Sequence, residues 1–119
     1  MPMPWQKPVM ATIYKILFAN EWREAKSEGR YRGSPDDKRD GFIHFSTAEQ
    51  TLGTYEKYFS GRPDLMLAAI DADALGDALK WEPSRGGALF PHLYGDLPLS
   101  AVRWSRVLVS IDDVKQLAS

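Results

Sequence analysis

The chain has 119 residues, enough for one domain with a single hydrophobic core and too few for two independent cores. Apolar residues make up 44% of the chain and charged residues 26%, which is typical of globular proteins and excludes a disordered composition. The formal net charge of −1 excludes a strong overall attraction to nucleic acid or to an anionic membrane, although a local arginine groove for RNA would not change this total.

Compartment and domain limits follow from what the sequence lacks. It contains no cysteine, which suits a reducing compartment and removes disulfides and thiolate chemistry. No stretch approaches the roughly 20 apolar residues of a membrane span, and residues 1–9 lack the layout of a signal peptide. We therefore expect a cytoplasmic protein without membrane contact. Residues 1–9 would be a disordered or upstream-initiated extension, and residues 10–119 a single α+β domain.

The first predicted elements are a strand and a helix. Thr12–Phe18 mixes β-branched, aromatic and apolar residues, which predicts a strand buried on both faces. Asn20 is a candidate N-cap for a helix that ends at Gly29, a suitable residue for the position after a helix. Trp22 and Ala25 lie three residues apart and therefore share one face of this helix.

A polar loop, a strand and a second helix are predicted next. Tyr31–Asp40 is the most charged stretch of the chain and contains glycine and proline, so we predict a loop. Gly41–Ser46 is predicted to be a strand. Ser46 or Thr47 can cap the helix that follows, with a glutamate or glutamine completing a capping box. Three residues of this helix form its predicted inward face: Leu52, Tyr55 and Phe59.

The second half of the chain is predicted to consist mainly of strands. Leu65–Ile70 is wholly apolar and predicts a central strand, and Asp71–Leu79 a turn with a brief helical piece. Lys80–Glu82 and Ala88–Pro91 are predicted short strands, and Val102–Ile111 a last strand. Its predicted core residues are Val102, Trp104, Val107 and Val109. This order of elements predicts an α+β fold, with two main helices packed against a mostly antiparallel sheet.

His44 interrupts an otherwise apolar strand, where side chains alternate between the two faces. Phe42, His44 and Ser46 therefore share one face, opposite Ile43 and Phe45. An imidazole beside an aromatic ring and a hydroxyl is a suitable lining for a ligand cleft. The alternative is a partly buried histidine that is hydrogen-bonded to a carbonyl group.

The segment WEPSRGGALFPHLYGDLP combines many chemically active side chains with several turns. Arg85, followed by two glycines, is a candidate anchor for a phosphate, because its guanidinium and nearby backbone N–H groups can bind an anion. The alternative is a tight hairpin with a surface arginine. Trp81, Glu82, His92 and Tyr94 add aromatic faces, a carboxylate and an imidazole. Together these residue types suit a nucleotide or another phosphorylated ligand.

Several other chemistries lack their sequence patterns. The two histidines do not have the spacing of a zinc site, so no metal site is predicted. There is no G-x-S-x-G elbow of a serine hydrolase, no Walker A loop and no G-x-G-x-x-G motif.

The segments IYKI, FIHFST, WEPSRGG and FPHLYG together resemble an uncharacterised bacterial family, domain of unknown function 952. The resemblance extends from Ile13 to Trp104. By fold this family is grouped with the ADP-ribosyltransferase-like clan, which includes NAD-using transferases and RNA 2′-phosphotransferases. The resemblance therefore implies a bent or split sheet around a cleft for NAD or an ADP-ribosylated species.

The clan resemblance also implies roles for single residues. His44 is similar to an early-strand histidine that contacts the adenosine ribose, and Ser46 and Thr47 would flank that ribose. Many clan members carry a glutamate late in the chain that binds the nicotinamide ribose. The last predicted strand here has no carboxylate, and Glu82 comes before FPHLYG, the segment that contains His92. This departure puts protein ADP-ribosylation in doubt. The 2′-phosphotransferases rely on histidine and arginines instead.

The resulting hypothesis is a binding protein for NAD, ADP-ribose or a similar nucleotide, or a glycosyl- or phosphotransferase with a His/Arg cleft. RNA is a further candidate ligand, and NAD is the cofactor that the resemblance implies. The predicted catalytic residues are His44, Arg85 and His92. The predicted ligand-binding residues are Ser46, Thr47, Trp81, Glu82 and Tyr94.

Two alternatives remain open. The alternatives to this hypothesis are a non-catalytic ligand-binding module and a two-histidine phosphodiesterase, in which paired imidazoles act as acid and base. The phosphodiesterase pattern, histidine followed by an apolar residue and Ser or Thr, fits His44-Phe45-Ser46 and does not fit His92-Leu93-Tyr94. Imidazoles a few ångströms apart in one cleft would favour acid–base pairing, and distant ones would favour separate binding roles.

Overall fold

The computed structural model describes residues 11–118, apart from the side chain of Arg85. The predicted extension at residues 1–9 lies outside this range. The strands are β1 (Thr12–Phe18), β2 (Arg30–Tyr31), β3 (Ile43–His44), β4 (Leu65–Asp71), β5 (Leu79–Pro83), β6 (Leu89–Leu93), β7 (Leu97–Pro98) and β8 (Val102–Leu108). The α-helices are α1 (Ala19–Glu28), α2 (Pro35–Asp40), α3 (Ala48–Tyr58) and α4 (Ile111–Leu117). Three 3₁₀ segments span Ala72–Ala78, Arg85–Gly87 and Leu99–Ala101.

The described strands form three antiparallel sheets. The first has the order β1-β4-β8, the second β3-β6-β5, and β2 pairs with β7 in the third. An isolated bridge between Tyr14 and Ser46 connects the first sheet to the chain just after β3. The α+β class and the antiparallel pairing are therefore confirmed, with the strands divided among separate sheets.

The core lies on both faces of the first sheet, because β1 and β4 are apolar along nearly their whole length. Ile13 and Leu17 of β1 pack on one face, in the cluster that includes Trp22 and Ala25 of α1. The opposite face of β1 packs in a second cluster, against α3 and α4. The predicted burial of both faces of β1 is confirmed.

The start of α1 differs from the prediction. Phe18, and not Asn20, is the N-cap, because Phe18 has extended backbone angles and its N–H donates to Glu21 Oε1 at 3.2 Å. The predicted end is correct: Gly29 follows the helix with φ of 81°, a left-handed conformation that suits glycine. For α3, the cap is Thr47, whose hydroxyl accepts from the Gln50 N–H.

The predicted loop over residues 31–40 is wrong in its second half, which forms α2. Ser34 caps this helix: its hydroxyl accepts from the Asp37 N–H at 3.1 Å, and the Asp37 carboxylate accepts from the Ser34 N–H at 2.8 Å. Pro35 stands at the first helical position, where its missing N–H costs nothing. The capping box has aspartate at the position that glutamate or glutamine usually takes.

The last predicted strand is also too long, since β8 ends at Leu108 and α4 begins at Ile111. The assignment of Val107 and Val109 to the core is wrong: their exposures are 62% and 84%. Alternation explains the error, because residues 107 and 109 have the opposite parity to Trp104, and the buried residue in phase with Trp104 is Leu108. The described chain therefore has four α-helices and not two. None of them is long and apolar enough to span a membrane.

Candidate functional site

Strand pairing brings the two histidines together. His44 on β3 and His92 on β6 are direct partners in the antiparallel register. Their ring centroids lie 5.5 Å apart, and the ring planes meet at 70°. Ile43 and Phe45, on the other face of this strand, are buried in the core, as the alternation predicts. The two sequence segments therefore form one site.

Both ring nitrogens of His44 face carboxylates. Nδ1 lies 2.6 Å from Asp37 Oδ1, and Nε2 lies 3.0 Å from Asp40 Oδ2. The pKa of each carboxyl group lies below its ordinary value, so both are ionised and can only accept. Both contacts are hydrogen bonds only when both ring nitrogens carry hydrogen.

Asp37 is a buried acceptor for four donors, with 2% of its side chain exposed. It accepts from Lys15 Nζ at 3.0 and 3.1 Å, from the Ser34 N–H, and from the backbone N–H and Nδ1 of His44. Burial raises the pKa of Asp37, but the hydrogen bond from His44 and the charge of Lys15 lower it more. The net pKa lies well below its usual range. A buried ion pair thus fixes the ring of His44.

His92 is held in a similar way by Glu82. Its Nδ1 lies 2.8 Å from Glu82 Oε1, and the Tyr94 hydroxyl donates to the same oxygen at 2.8 Å. The hydrogen bond from His92, and then that from Tyr94, lowers the pKa of Glu82. The bond to Glu82 in turn raises the pKa of Tyr94. Within residues 11–118 no hydrogen bond is assigned to the other nitrogen of His92.

Phe42 joins the two histidines through ring contacts. It stacks on His92, with ring centroids 4.1 Å apart and an angle of 24° between the planes. Its ring also contacts His44, at 4.6 Å between centroids, and Tyr94, at 5.3 Å. The aromatic ring therefore fixes the distance between two imidazoles, each of which a carboxylate already orients.

The histidines line an open cleft of about 180 Å³. Its walls come mainly from β1, α2, α3 and two strands of the second sheet, β3 and β6. Tyr58 stands at this cleft with 55% of its surface exposed, and Phe59 and Phe90 add further aromatic surface. The volume is below the roughly 300–1,000 Å³ of sites that enclose a drug-sized ligand. The cleft therefore suits a small group or one part of a larger ligand.

The predicted site residues are only partly brought together. His44, His92 and Ser46 line the cleft, and the Ser46 hydroxyl lies 2.9 Å from that of Thr54. Glu82 contacts His92, and Tyr94 donates to Glu82; neither residue lines the cleft. The side chain of Arg85 is outside the described structure, although its neighbour Ser84 lines the cleft.

The remaining two predicted ligand-binding residues have other positions. Thr47 caps α3. Trp81 on β5 pairs with Pro91 on β6. Because side chains alternate along a strand, Trp81 lies on the face opposite Glu82 and His92. It is 38% exposed.

Sequence reasoning missed the charged cluster around His44. The segments that contain Lys15, Asp37 and Asp40 were predicted to be only a buried strand and a loop. One signal was present: Lys15 is a single charge inside the apolar strand TIYKILF, and a buried lysine needs an acidic partner. Within residues 11–118 no group of three or more potential ligands is arranged to hold a metal ion.

Comparison with known proteins gives a family and close structural relatives. The sequence profile of the family described as "Protein of unknown function (DUF952)" matches residues 16–105. The chain is similar to the crystal structure of protein CC0527 from Caulobacter crescentus, with 51% identity and a TM-score of 0.81. That alignment covers 82% of this chain and 86% of the other.

The solution NMR structure of the same Caulobacter protein is 52% identical, with a TM-score of 0.74, covering 82% of this chain and 84% of that one. No curated protein matches the chain. The likeness to the ADP-ribosyltransferase-like clan stays a prediction.

Proposed function

The chain belongs to the DUF952 family of proteins of unknown function, and we propose that its cleft binds a small nucleotide-type ligand through a ribose phosphate. One observation carries this proposal: two imidazoles, each oriented by a carboxylate at Nδ1, line the same cleft with their centroids 5.5 Å apart. Imidazole N–H groups donate well to phosphate and hydroxyl oxygens.

The remaining lining supports the same class of ligand. The exposed ring of Tyr58 offers a face on which a base can stack. Ser46 and Ser84 add hydroxyl groups for ribose or phosphate oxygens. The cleft volume of about 180 Å³ fits one ribose phosphate and does not enclose a whole NAD molecule. Any nicotinamide portion of NAD would therefore extend outside it. Arg85, whose neighbour Ser84 lines the cleft, remains the proposed phosphate anchor.

Calorimetric titration tests this proposal. ADP-ribose, NAD and a 2′-phosphorylated RNA are titrated into the wild type, His44→Ala and Glu56→Gln, whose exposed residue on α3 is not part of the cleft. We expect binding of at least one ligand by the wild type and by Glu56→Gln, and its loss in a folded His44→Ala variant. The absence of heat with all three ligands would contradict the proposal.

A second candidate is acid–base catalysis on a phosphodiester, and the separation of the two rings specifically favours it. One imidazole would take a proton from the attacking hydroxyl group or water, and the other would protonate the leaving oxygen. A 2′,3′-cyclic phosphate is the corresponding substrate class. Tyr94 stands where the second half of the two-histidine pattern has Ser or Thr, so the pattern itself remains incomplete.

Turnover separates the two candidates. Hydrolysis of a 2′,3′-cyclic nucleotide, lost in both His44→Ala and His92→Ala and bell-shaped in pH, would establish acid–base catalysis. Binding without turnover of any of these ligands would instead identify a non-catalytic ligand-binding module. A transferase would be revealed by transfer of ADP-ribose or phosphate to an acceptor, through a charged transition state that the polar groups of the cleft stabilise.

A further inference from the structure

The geometry points to Asp40 as an internal substitute for the anionic group of the ligand. We infer that a phosphate oxygen of the ligand replaces the Asp40 carboxylate between His44 and Arg39. This inference rests on the proposed ligand-binding role of the cleft. It adds that the bound group is anionic and that the free protein keeps this position filled with a carboxylate of its own.

The Asp40 carboxylate joins an imidazole to a guanidinium. Its Oδ2 lies 3.0 Å from His44 Nε2, and its Oδ1 accepts from Arg39 Nε at 3.1 Å. An imidazolium and a guanidinium that share one bidentate acceptor form an arrangement that also suits phosphate. Phosphate has more acceptor oxygens and more negative charge than a carboxylate, so it is the stronger competitor for these donors.

Asp40 can leave this position more easily than Asp37. Its side chain is 34% exposed, so it can exchange its two hydrogen bonds for water. It is the last residue of α2, and Gly41 follows with φ of 88°. Asp37, by contrast, is 2% exposed and accepts from four donors at the centre of the same cluster. A ligand can displace Asp40 without disturbing the residues that orient His44.

The charge balance explains why an anionic group is the one that would bind favourably in place of the Asp40 carboxylate. With His44 as imidazolium, three cations and three carboxylates neutralise one another at this side of the cleft. They are Lys15, Arg39 and His44, against Asp36, Asp37 and Asp40. When the Asp40 carboxylate turns away, one positive charge lacks a partner close by. An anionic group restores the balance, whereas a neutral sugar or a cation does not.

Inorganic phosphate is the probe for this inference. It is titrated into the wild type, Asp40→Asn, Asp40→Ala and Asp36→Asn, with binding followed through the NMR signals of the His44 ring and the Arg39 Nε–H. Asp36→Asn is the matched control, because it removes the same charge from the same helix and Asp36 contacts Arg39 but not His44. The alanine variant excludes an effect of the new amide group.

We expect the Kd for phosphate to fall at least about tenfold in both Asp40 variants, the equivalent of one charge-assisted hydrogen bond. The His44 and Arg39 signals should shift together. The gain in Asp36→Asn should be clearly smaller, because this change removes the same charge but leaves Asp40 in contact with His44 Nε2. Equal Kd values for the wild type and the Asp40 variants would overturn the inference. So would an equal gain in Asp36→Asn, or binding that leaves the His44 ring unaffected.

The outcomes also separate this inference from the proposed function. Tighter phosphate binding by the Asp40 variants, with no nucleotide binding by the wild type, would support the substitution and contradict the nucleotide proposal. Nucleotide binding by the wild type, with no effect of the Asp40 variants on phosphate, would support the proposed function and overturn the role of Asp40.

Discussion

Replacing Asp37 with asparagine removes a negative charge that four donors share at a buried point of the fold. The change is nearly isosteric, so its main effect is electrostatic. Lys15, whose side chain is 9% exposed, would lose the carboxylate that lies 3.0 Å from its ammonium group. One N–H face of the new amide would also oppose the donors of Ser34 or His44, which cannot accept.

The magnitude follows from the burial of this pair. Removing one partner of a buried ion pair typically costs about 3–5 kcal/mol, because the other charge remains buried without compensation. Small domains have about 5–15 kcal/mol of stability in total. We therefore expect Asp37→Asn to lower the free energy of unfolding by about 3–5 kcal/mol, a large fraction of the total.

Urea denaturation at neutral pH, followed by circular dichroism, measures this loss. The double variant Lys15→Met/Asp37→Asn should recover part of the stability, because it leaves no buried lysine charge without a partner. In spectra of the folded variant, the downfield proton of the short Nδ1–H hydrogen bond of His44 should disappear. A loss below about 1 kcal/mol for Asp37→Asn, which is the effect of an ordinary neutral hydrogen bond, would refute this account of the cluster.

Three further predictions concern stability. Because the pKa of Asp37 is lowered in the fold, its ionised form stabilises the protein at pH values above the ordinary pKa of aspartate. The free energy of unfolding should therefore fall as the pH drops below about 4. In acid titrations, Asp37→Asn should show a weaker loss than the wild type. Gly33→Ala should lower the free energy of unfolding, measured by urea denaturation, by about 1–3 kcal/mol. The reason is that φ is +107° and the new Cβ would lie 2.8 Å from Asp37 Cβ. Gly29→Ala, whose new Cβ has no such close contact, should lose less stability. Val109→Ser should change stability by less than about 0.5 kcal/mol, whereas Leu108→Ala should cost about 2–5 kcal/mol. A larger loss of thermal stability for Val109→Ser than for Leu108→Ala would show that residue 109 belongs to the core after all.

The elements that local sequence determines were predictable. β1 and β4 are apolar along their length, and Thr47 with Gln50 forms a capping box at the start of α3. The helix α2 was not predictable from its composition, since it is short and polar. Its central residue, Asp37, is held by contacts of its carboxylate with Lys15 and His44 on other elements.

In the site, too, some features follow from local sequence and others depend on contacts between distant parts of the chain. Unusual sequence context indicated His44 and His92 as candidate site residues, and their proximity in space depends on the β3–β6 register. The bond between Lys15 and Asp37 joins residues 22 positions apart, on β1 and α2. No local pattern encodes that distance. Parity would have excluded Val107 from the core, because a strand cannot turn residues 104 and 107 to the same face.

The bridge between Tyr14 and Ser46 has a mechanical consequence. Its two hydrogen bonds, of 2.8 and 2.9 Å, join the first sheet to the chain after β3, and both residues line the cleft. The cleft thus lies along a seam between two independently hydrogen-bonded sheets. A small rotation about this bridge would change the width of the cleft and leave the ladders of both sheets intact. The stiffness of the cleft therefore depends on a few bonds between the two sheets, while the stability of the domain depends on the sheets themselves.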